Sequence, residues 1–205
     1  MIRLYRAPFS TNVERVALAL AHKELRVESV VIDYRDRSEV ERVSGQGLVP
    51  VIEDDGTVVV DSMEIIRHLE AQYPEPPLYP TDEASRAEML IFIDWFNQVW
   101  KQRPNAIEAE LGQSEPDHER IASLASEMAA ALDLFEALLA GRDHLMGDDF
   151  TAADCAAFPF LKYALFRDPV DDELFHRILD QHQQLGDTHP RLAAWIRRVD
   201  ERPRA

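Results

Sequence analysis

Apolar residues follow two different rhythms along the chain, and the rhythm changes at a cluster of prolines. In the first third, short apolar runs alternate with helical spacings. Ile2 to Tyr5 predicts a strand, with Leu4 pointing into a core. A loop, Arg6-Ala7-Pro8-Phe9-Ser10, leads to Thr11-Asn12-Val13-Glu14, where Thr11 and Glu14 have the spacing of a capping box. Val13, Val16, Ala17 and Leu20 then fit one buried helix face. Arg26 to Asp33 predicts a second strand, and the charged stretch Arg35 to Val43 is read as a short helix or an irregular segment. Val49 to Glu53 and Thr57 to Val60 flank Asp54-Asp55-Gly56, the signature of a hairpin. Asp61 or Ser62 caps a helix carrying Ile65, Ile66 and Leu69, with Glu64 placed to complete a box from Asp61. Such an order yields a mixed sheet with helices packed on it.

Pro74, Pro76, Pro77 and Pro80 end that pattern, since closely spaced prolines favour an extended connector over a helix. Everything after Thr81 carries helical spacing. Met89, Ile93, Phe96 and Trp100 mark one amphipathic helix over 84–100, and a long apolar stripe from Ile121 to Leu139 stops at Gly141. A third helix is expected after Phe150, with Thr151 and Asp154 as its capping box, and a last one over Arg191 to Val199 around Trp195. The expected organisation is an α/β domain over 1–75, a proline-rich linker over 76–83 and an all-α domain over 84–205.

Composition narrows the function. With 46% hydrophobic and 29% charged residues over 205 positions, the chain has the balance of a folded globular protein. Its net charge of -16 opposes binding to a phosphate backbone, so no nucleic-acid partner is expected. No apolar run has the length of a membrane span. The single cysteine, Cys155, has no internal partner, and no signal-peptide pattern opens the chain, which together predict a cytoplasmic protein. Cys155 falls inside an apolar helix and is read as a small core residue. The seven histidines show no ligand spacing, so no metal is expected.

Three segments together resemble the cytosolic glutathione transferase superfamily, in its serine-type and bacterial-like form. The first is Ser10-Thr11-Asn12-Val13-Glu14-Arg15-Val16, with a serine six residues before a helical valine. The second is Gly47-Leu48-Val49-Pro50-Val51-Ile52 followed by Asp61-Ser62, and the third is Phe150-Thr151-Ala152-Ala153-Asp154 with Pro159 beyond. The resemblance spans nearly the whole chain. It implies a thioredoxin-like N-terminal domain with an all-helical C-terminal domain, the glutathione S-transferase (GST) fold, and glutathione as co-substrate.

By that resemblance the cofactor-binding residues are Ser10, Leu48, Val49, Pro50, Asp61 and Ser62. Pro50 is expected to be cis, turning the Val49 backbone outward to pair with a peptide-like ligand. Ser62 and the helix N-terminus suit the γ-glutamyl carboxylate, and Asp61 the α-amino group. Ser10 is the expected catalytic residue: a hydroxyl donor beside a helix N-terminus stabilises a bound thiolate over its thiol. Lowering a thiol pKa by about two units takes roughly 2.7 kcal/mol, the size of one charge-assisted hydrogen bond plus a helix dipole. In this reading Thr11 caps the helix and leaves Ser10 to the ligand, and Tyr5 is the alternative hydroxyl. A serine at this position, where some relatives carry cysteine, argues against mixed-disulfide chemistry.

The expected activity is transfer of the glutathione thiol to a small, largely apolar electrophile, by conjugation or dehalogenation, in the manner of detoxification enzymes. The alternatives are a non-catalytic binding or regulatory protein and a glutathione-dependent isomerase or lyase. Phe9, Trp95, Asn97 and Trp100 are candidate electrophile contacts, because aromatic rings suit apolar substrates. A homodimer is implied by the resemblance alone. Leu48 departs from the family pattern, which often has Lys or Gln there for the glycine carboxylate; Arg35, Arg37 and Arg42 are the candidate replacements.

Overall fold

A computed structural model describes residues 1–33 and 35–205, and the chain divides into two compact units. The first comprises Met1–Pro80 with Arg202–Ala205, the second Thr81–Glu201.

In the first unit, β1 (Ile2–Arg6), β2 (Val27–Val31), β3 (Val51–Asp54) and β4 (Thr57–Val60) form one sheet in the order β2-β1-β3-β4. β2 runs parallel to β1, while β3 is antiparallel to both β1 and β4. Leu4 stands opposite Ile52 and Tyr5 opposite Val51, so the two faces of the sheet are buried differently. Tyr5 and Val51 pack with Ala7, Ile32 and Val40, the last from α2 (Ser38–Ser44). The helices α1 (Thr11–His22) and α3 (Ser62–Gln72) pack on each other and bury Val16, Leu20, Ile65 and Leu69. The β3–β4 hairpin turns at Asp55 and Gly56, with φ of 47° and 86°, the two left-handed positions a tight turn requires. Val49 and Pro50 precede the strand expected to contain them, because β1 pairs only from Val51 onward.

The end of the proline-rich stretch packs within the first unit. Leu78 and Tyr79 are buried, and their backbone N–H groups donate to the Glu70 carboxylate. Buried Lys23 pairs with Glu70 at 2.7 Å and donates to the carbonyls of Tyr73 and Pro76. A buried ammonium with a carboxylate and two carbonyls around it is well satisfied. The Val49–Pro50 and Glu75–Pro76 bonds are cis. The last four residues group with this unit and not with the helices before them. Arg6 donates to the Ala205 carbonyl at 2.7 Å, Ala205 N–H donates to the Ala17 carbonyl at 3.1 Å, and Arg204 pairs with Glu14 at 3.1 Å.

The second unit is helical: α4 (Glu83–Trp95), α5 (Gln102–Leu111), α6 (His118–Leu138), α7 (Ala152–Leu161), α8 (Leu174–His182) and α9 (Pro190–Asp200). The single helix expected over 84–100 changes character at Phe96–Trp100, a π-helical turn whose closing bond runs from Lys101 N–H to the Phe96 carbonyl. Phe92, Phe96, Trp100, Phe135 and Phe160 form an aromatic core around it, with Phe96 and Trp100 stacked at 4.6 Å. Every residue of α7 is buried, Cys155 included. Its N-terminus carries the expected capping box between Thr151 and Asp154.

Candidate functional site

A groove of about 340 Å³ opens in the first unit, lined by Asn12, Gln46, Leu48, Val49, Pro50, Val60, Asp61 and Ser62. Three elements meet there: the first turn of α1, the loop entering β3, and the junction of β4 with α3. Five of the six residues assigned to thiol binding from the sequence, Leu48, Val49, Pro50, Asp61 and Ser62, share its wall.

Asp61 is the N-cap of α3. One carboxylate oxygen, Oδ1, accepts from Met63 N–H at 2.9 Å and Glu64 N–H at 3.2 Å, which leaves Oδ2 uncommitted among the described residues. Its backbone has φ 68° and ψ 130°, a conformation costly for any residue with a Cβ, at about 1–3 kcal/mol. The expected reciprocal bond from Glu64 does not form, because the Glu64 carboxylate pairs with Arg67 one turn along. Ser62 follows as the first helical residue; only 3% exposed, its hydroxyl accepts a hydrogen bond from Arg15 Nη1 at 3.3 Å. The Val49 N–H and C=O have no hydrogen-bond partner among the described residues, so an open backbone edge lies beside that helix end. Together these offer an acceptor for an ammonium, a hydroxyl and helix dipole for a carboxylate, and a donor–acceptor pair for an amide.

Ser10 is the N-cap of α1, and this corrects the expectation that Thr11 caps it. Ser10 keeps extended backbone (φ -62°, ψ 113°) and its Oγ accepts from Val13 N–H at 3.4 Å, while Thr11 is already helical. Glu14, expected to bond back to Thr11, pairs with Arg204 of the C-terminal tail. Capping uses an acceptor lone pair of the Ser10 hydroxyl and leaves its proton available. Ser10 itself stands outside the groove wall, which its neighbour Asn12 helps to form. Tyr5 is spent elsewhere: it is buried in the sheet core and its hydroxyl reaches Glu53 at 3.5 Å.

Leu48 is 74% exposed, and the Gln46 side chain clamps its backbone, with Gln46 Nε2 donating to the Leu48 carbonyl at 2.9 Å. Arg37 donates to the Gly47 carbonyl at 3.2 Å and Arg42 faces Glu39. The electrophile candidates divide. Phe9 is 40% exposed with φ 58° in the loop before Ser10. Trp95 and Asn97 are half-buried in the second unit. Trp100 is fully enclosed by the aromatic core, so it serves packing and offers no surface to a ligand. Among the described residues, no group of three or more His, Cys, Asp and Glu side chains is placed to hold a metal ion, and no helix is long and apolar enough to cross a membrane.

Sequence reasoning missed Asn12, Gln46, Val60 and Arg15. Asn12 lies two residues after Ser10 and Gln46 two before Leu48, so proximity to the motifs was a usable signal for them. Arg15 carried none, because an arginine inside a helix reads as solvent-facing by composition.

The fold and this groove place the chain in a known class. Residues 4–77 match the glutathione S-transferase N-terminal domain and residues 98–198 the glutathione S-transferase C-terminal domain. Glutathione S-transferase GstB of Escherichia coli strain K12 is 30% identical, over 99% of this chain and 95% of its own. Among solved structures, a glutathione S-transferase from Rhodospirillum rubrum F11 superposes with a TM-score of 0.77 at 29% identity, covering 99% of this chain and 89% of that one. A theta class enzyme from Xanthomonas axonopodis pv. citri, solved with glutathione bound, superposes at 0.74 with 25% identity, covering 98% and 93%. The chain belongs to the glutathione S-transferase family.

Proposed function

We propose that the chain is a transferase that binds glutathione in this groove and adds its thiol to a small, largely apolar electrophile. The observation that carries the reading is the pairing of Asp61 and Ser62 at the α3 N-terminus with the open Val49 backbone. A γ-glutamyl head has one ammonium and one carboxylate within a single amino-acid unit. The free Oδ2 of Asp61 suits the former; the Ser62 hydroxyl and helix dipole suit the latter. The amide that follows meets Val49 N–H and C=O as an added strand edge would. Ser10, capping α1 through its oxygen, donates a hydrogen bond to the thiolate and so favours it over the thiol. Leu48 leaves the glycine carboxylate to solvent, which predicts weaker glutathione binding than a cation at that position would give. Phe9, Trp95 and Asn97 remain the electrophile contacts in this reading, the assembly is a homodimer, and the protein works in the cytoplasm.

Calorimetric titration with glutathione tests the groove. Binding in the micromolar-to-millimolar range, weakened about tenfold by Ser62→Ala, is the expected result. Absence of binding, with no thermal shift, would sink the reading. Ser10→Ala is expected to lower turnover with a model aryl halide about 10²-fold while leaving glutathione affinity within threefold. Unchanged turnover would remove Ser10 from the chemistry. A second reading, a non-catalytic thiol-binding protein, draws on Leu48, and glutathione binding without turnover over a panel of electrophiles would favour it.

A further inference from the structure

We infer that Arg15 is a positioning residue for the ligand carboxylate, acting through Ser62; the inference rests on glutathione occupying the groove. Arg15 is among the largest fully enclosed side chains of the protein, at 2% exposure. It lies one helical turn beyond Asn12 on α1, and residues three apart share a helix face. Asn12 lines the groove, and Arg15 reaches beneath it to the Ser62 hydroxyl at 3.3 Å.

The direction of that bond is fixed by chemistry. A guanidinium has five donors, no acceptor, and keeps its proton at any working pH. Ser62 Oγ is therefore the acceptor. A serine hydroxyl has one proton to give, and no described residue accepts the one on Ser62. With a lone pair held from behind by Arg15, that proton is directed at the groove, where the carboxylate is to be received. A hydroxyl free of such a neighbour rotates among staggered positions and must be ordered when the ligand arrives. By donating to the Ser62 oxygen, Arg15 also polarises the Ser62 O–H bond, because linked hydrogen bonds strengthen one another in a poorly solvated site. The groove thus gains an oriented donor before the ligand binds, at the same helix end whose dipole already favours an anion. The neighbouring acceptor for the ammonium, Asp61 Oδ2, is oriented by the capping bonds that the other oxygen, Oδ1, accepts.

The test is a double-mutant cycle on the full chain, read by calorimetry with glutathione. Ser62→Ala and Arg15→Gln are each expected to weaken binding about tenfold. The double variant is expected to be no weaker than the poorer single one, because Arg15 acts on the carboxylate through Ser62. Arg15→Lys, which keeps a buried cation but loses the fixed planar donor, is expected to recover part of the loss, to about threefold. A glutathione analogue with the γ-glutamyl α-carboxylate converted to a carboxamide is expected to bind the parent and Arg15→Gln equally. Far-UV circular dichroism and thermal midpoints accompany each variant, and Arg15→Lys carries the cycle should Arg15→Gln unfold. Full additivity in the cycle, or an Arg15 effect that persists against the carboxamide, overturns the inference. If the parent binds glutathione and Ser62→Ala weakens it while both Arg15 variants bind like the parent, this inference alone fails. If the parent shows no binding, the reading of the groove fails first.

Discussion

The first turns of α3 and α7 each carry an aspartate that accepts from backbone N–H groups, and the two are built for opposite ends. At α7, Asp154 is completely buried and its two oxygens accept from Thr151 N–H at 2.9 Å, Thr151 Oγ1 at 3.0 Å, Leu145 N–H at 3.0 Å and Trp195 Nε1 at 2.8 Å. It ties the cap of α7 to α9 and to the loop before it. At α3, Asp61 uses one oxygen for two backbone donors, keeps the other open, and sits at φ 68° on the wall of a groove. A saturated carboxylate has nothing left to offer a ligand. An unsaturated one at a helix start, beside a hydroxyl and an open backbone edge, has capacity to spare. The same residue type is thus a saturated structural clamp at the third position of α7, and an N-cap with an open carboxylate oxygen at α3.

The sharpest way to break this contrast is to remove both aspartates. Asp154→Ala is expected to destabilise the fold by about 3–5 kcal/mol, since several buried donors lose their acceptor together, and urea denaturation reads it directly. A loss under 1 kcal/mol would mean that water or a neighbour replaces the carboxylate. Asp61→Gly should behave in the opposite way. Glycine tolerates positive φ and costs only a few tenths of a kcal/mol at an N-cap, so the unfolding free energy is expected to stay within about 0.5 kcal/mol of the parent. Glutathione affinity is expected to fall about tenfold in the same variant, a separation of stability from binding that no variant at Asp154 should show.

A smaller effect comes from a carboxylate that caps nothing. Burial pushes Glu108 of α5 above its ordinary value of 4.5; nearby Glu173 adds to the rise and His176 opposes it. A raised carboxylate pKa contributes stability below the unfolded-state value and loses it as pH climbs through the folded value. Glu108→Gln is therefore expected to be more stable than the parent at pH 7 by a few tenths of a kcal/mol, discounted for partial exposure, with the difference vanishing near pH 4. Thermal midpoints across that range check the sign. A gap that widens toward acid would reverse it.

Much of the architecture was readable from local chemistry. The hairpin at Asp55-Gly56, the capping box at Thr151 and Asp154, and the helix after Asp61 each rest on residues close in sequence whose backbone preferences agree. The two capping predictions that failed share a cause. Glu14 and Glu64 had the right spacing for a box, but each found an arginine instead, Arg204 from the far end of the chain and Arg67 one turn along. Competition for a charged side chain depends on which groups surround it, and the capping pattern is blind to that. Trp100 shows the same limit: helical spacing placed it on the same stripe as Phe96 without saying that the stripe closes into an aromatic core.

For the groove, the sequence by itself determined which residue types were available and where the chain turns: Val49-Pro50 before a strand, Asp61-Ser62 before a helix, and a serine at the start of α1. Only the tertiary structure decided that three of these elements converge on one groove, that Ser10 and not Thr11 is the cap, and that Arg15 lies beneath Ser62. The reason is range. Turns and caps are settled among neighbours three or four residues apart, whereas the Arg15–Ser62 contact spans 47 positions and exists only once α1 and α3 have packed together.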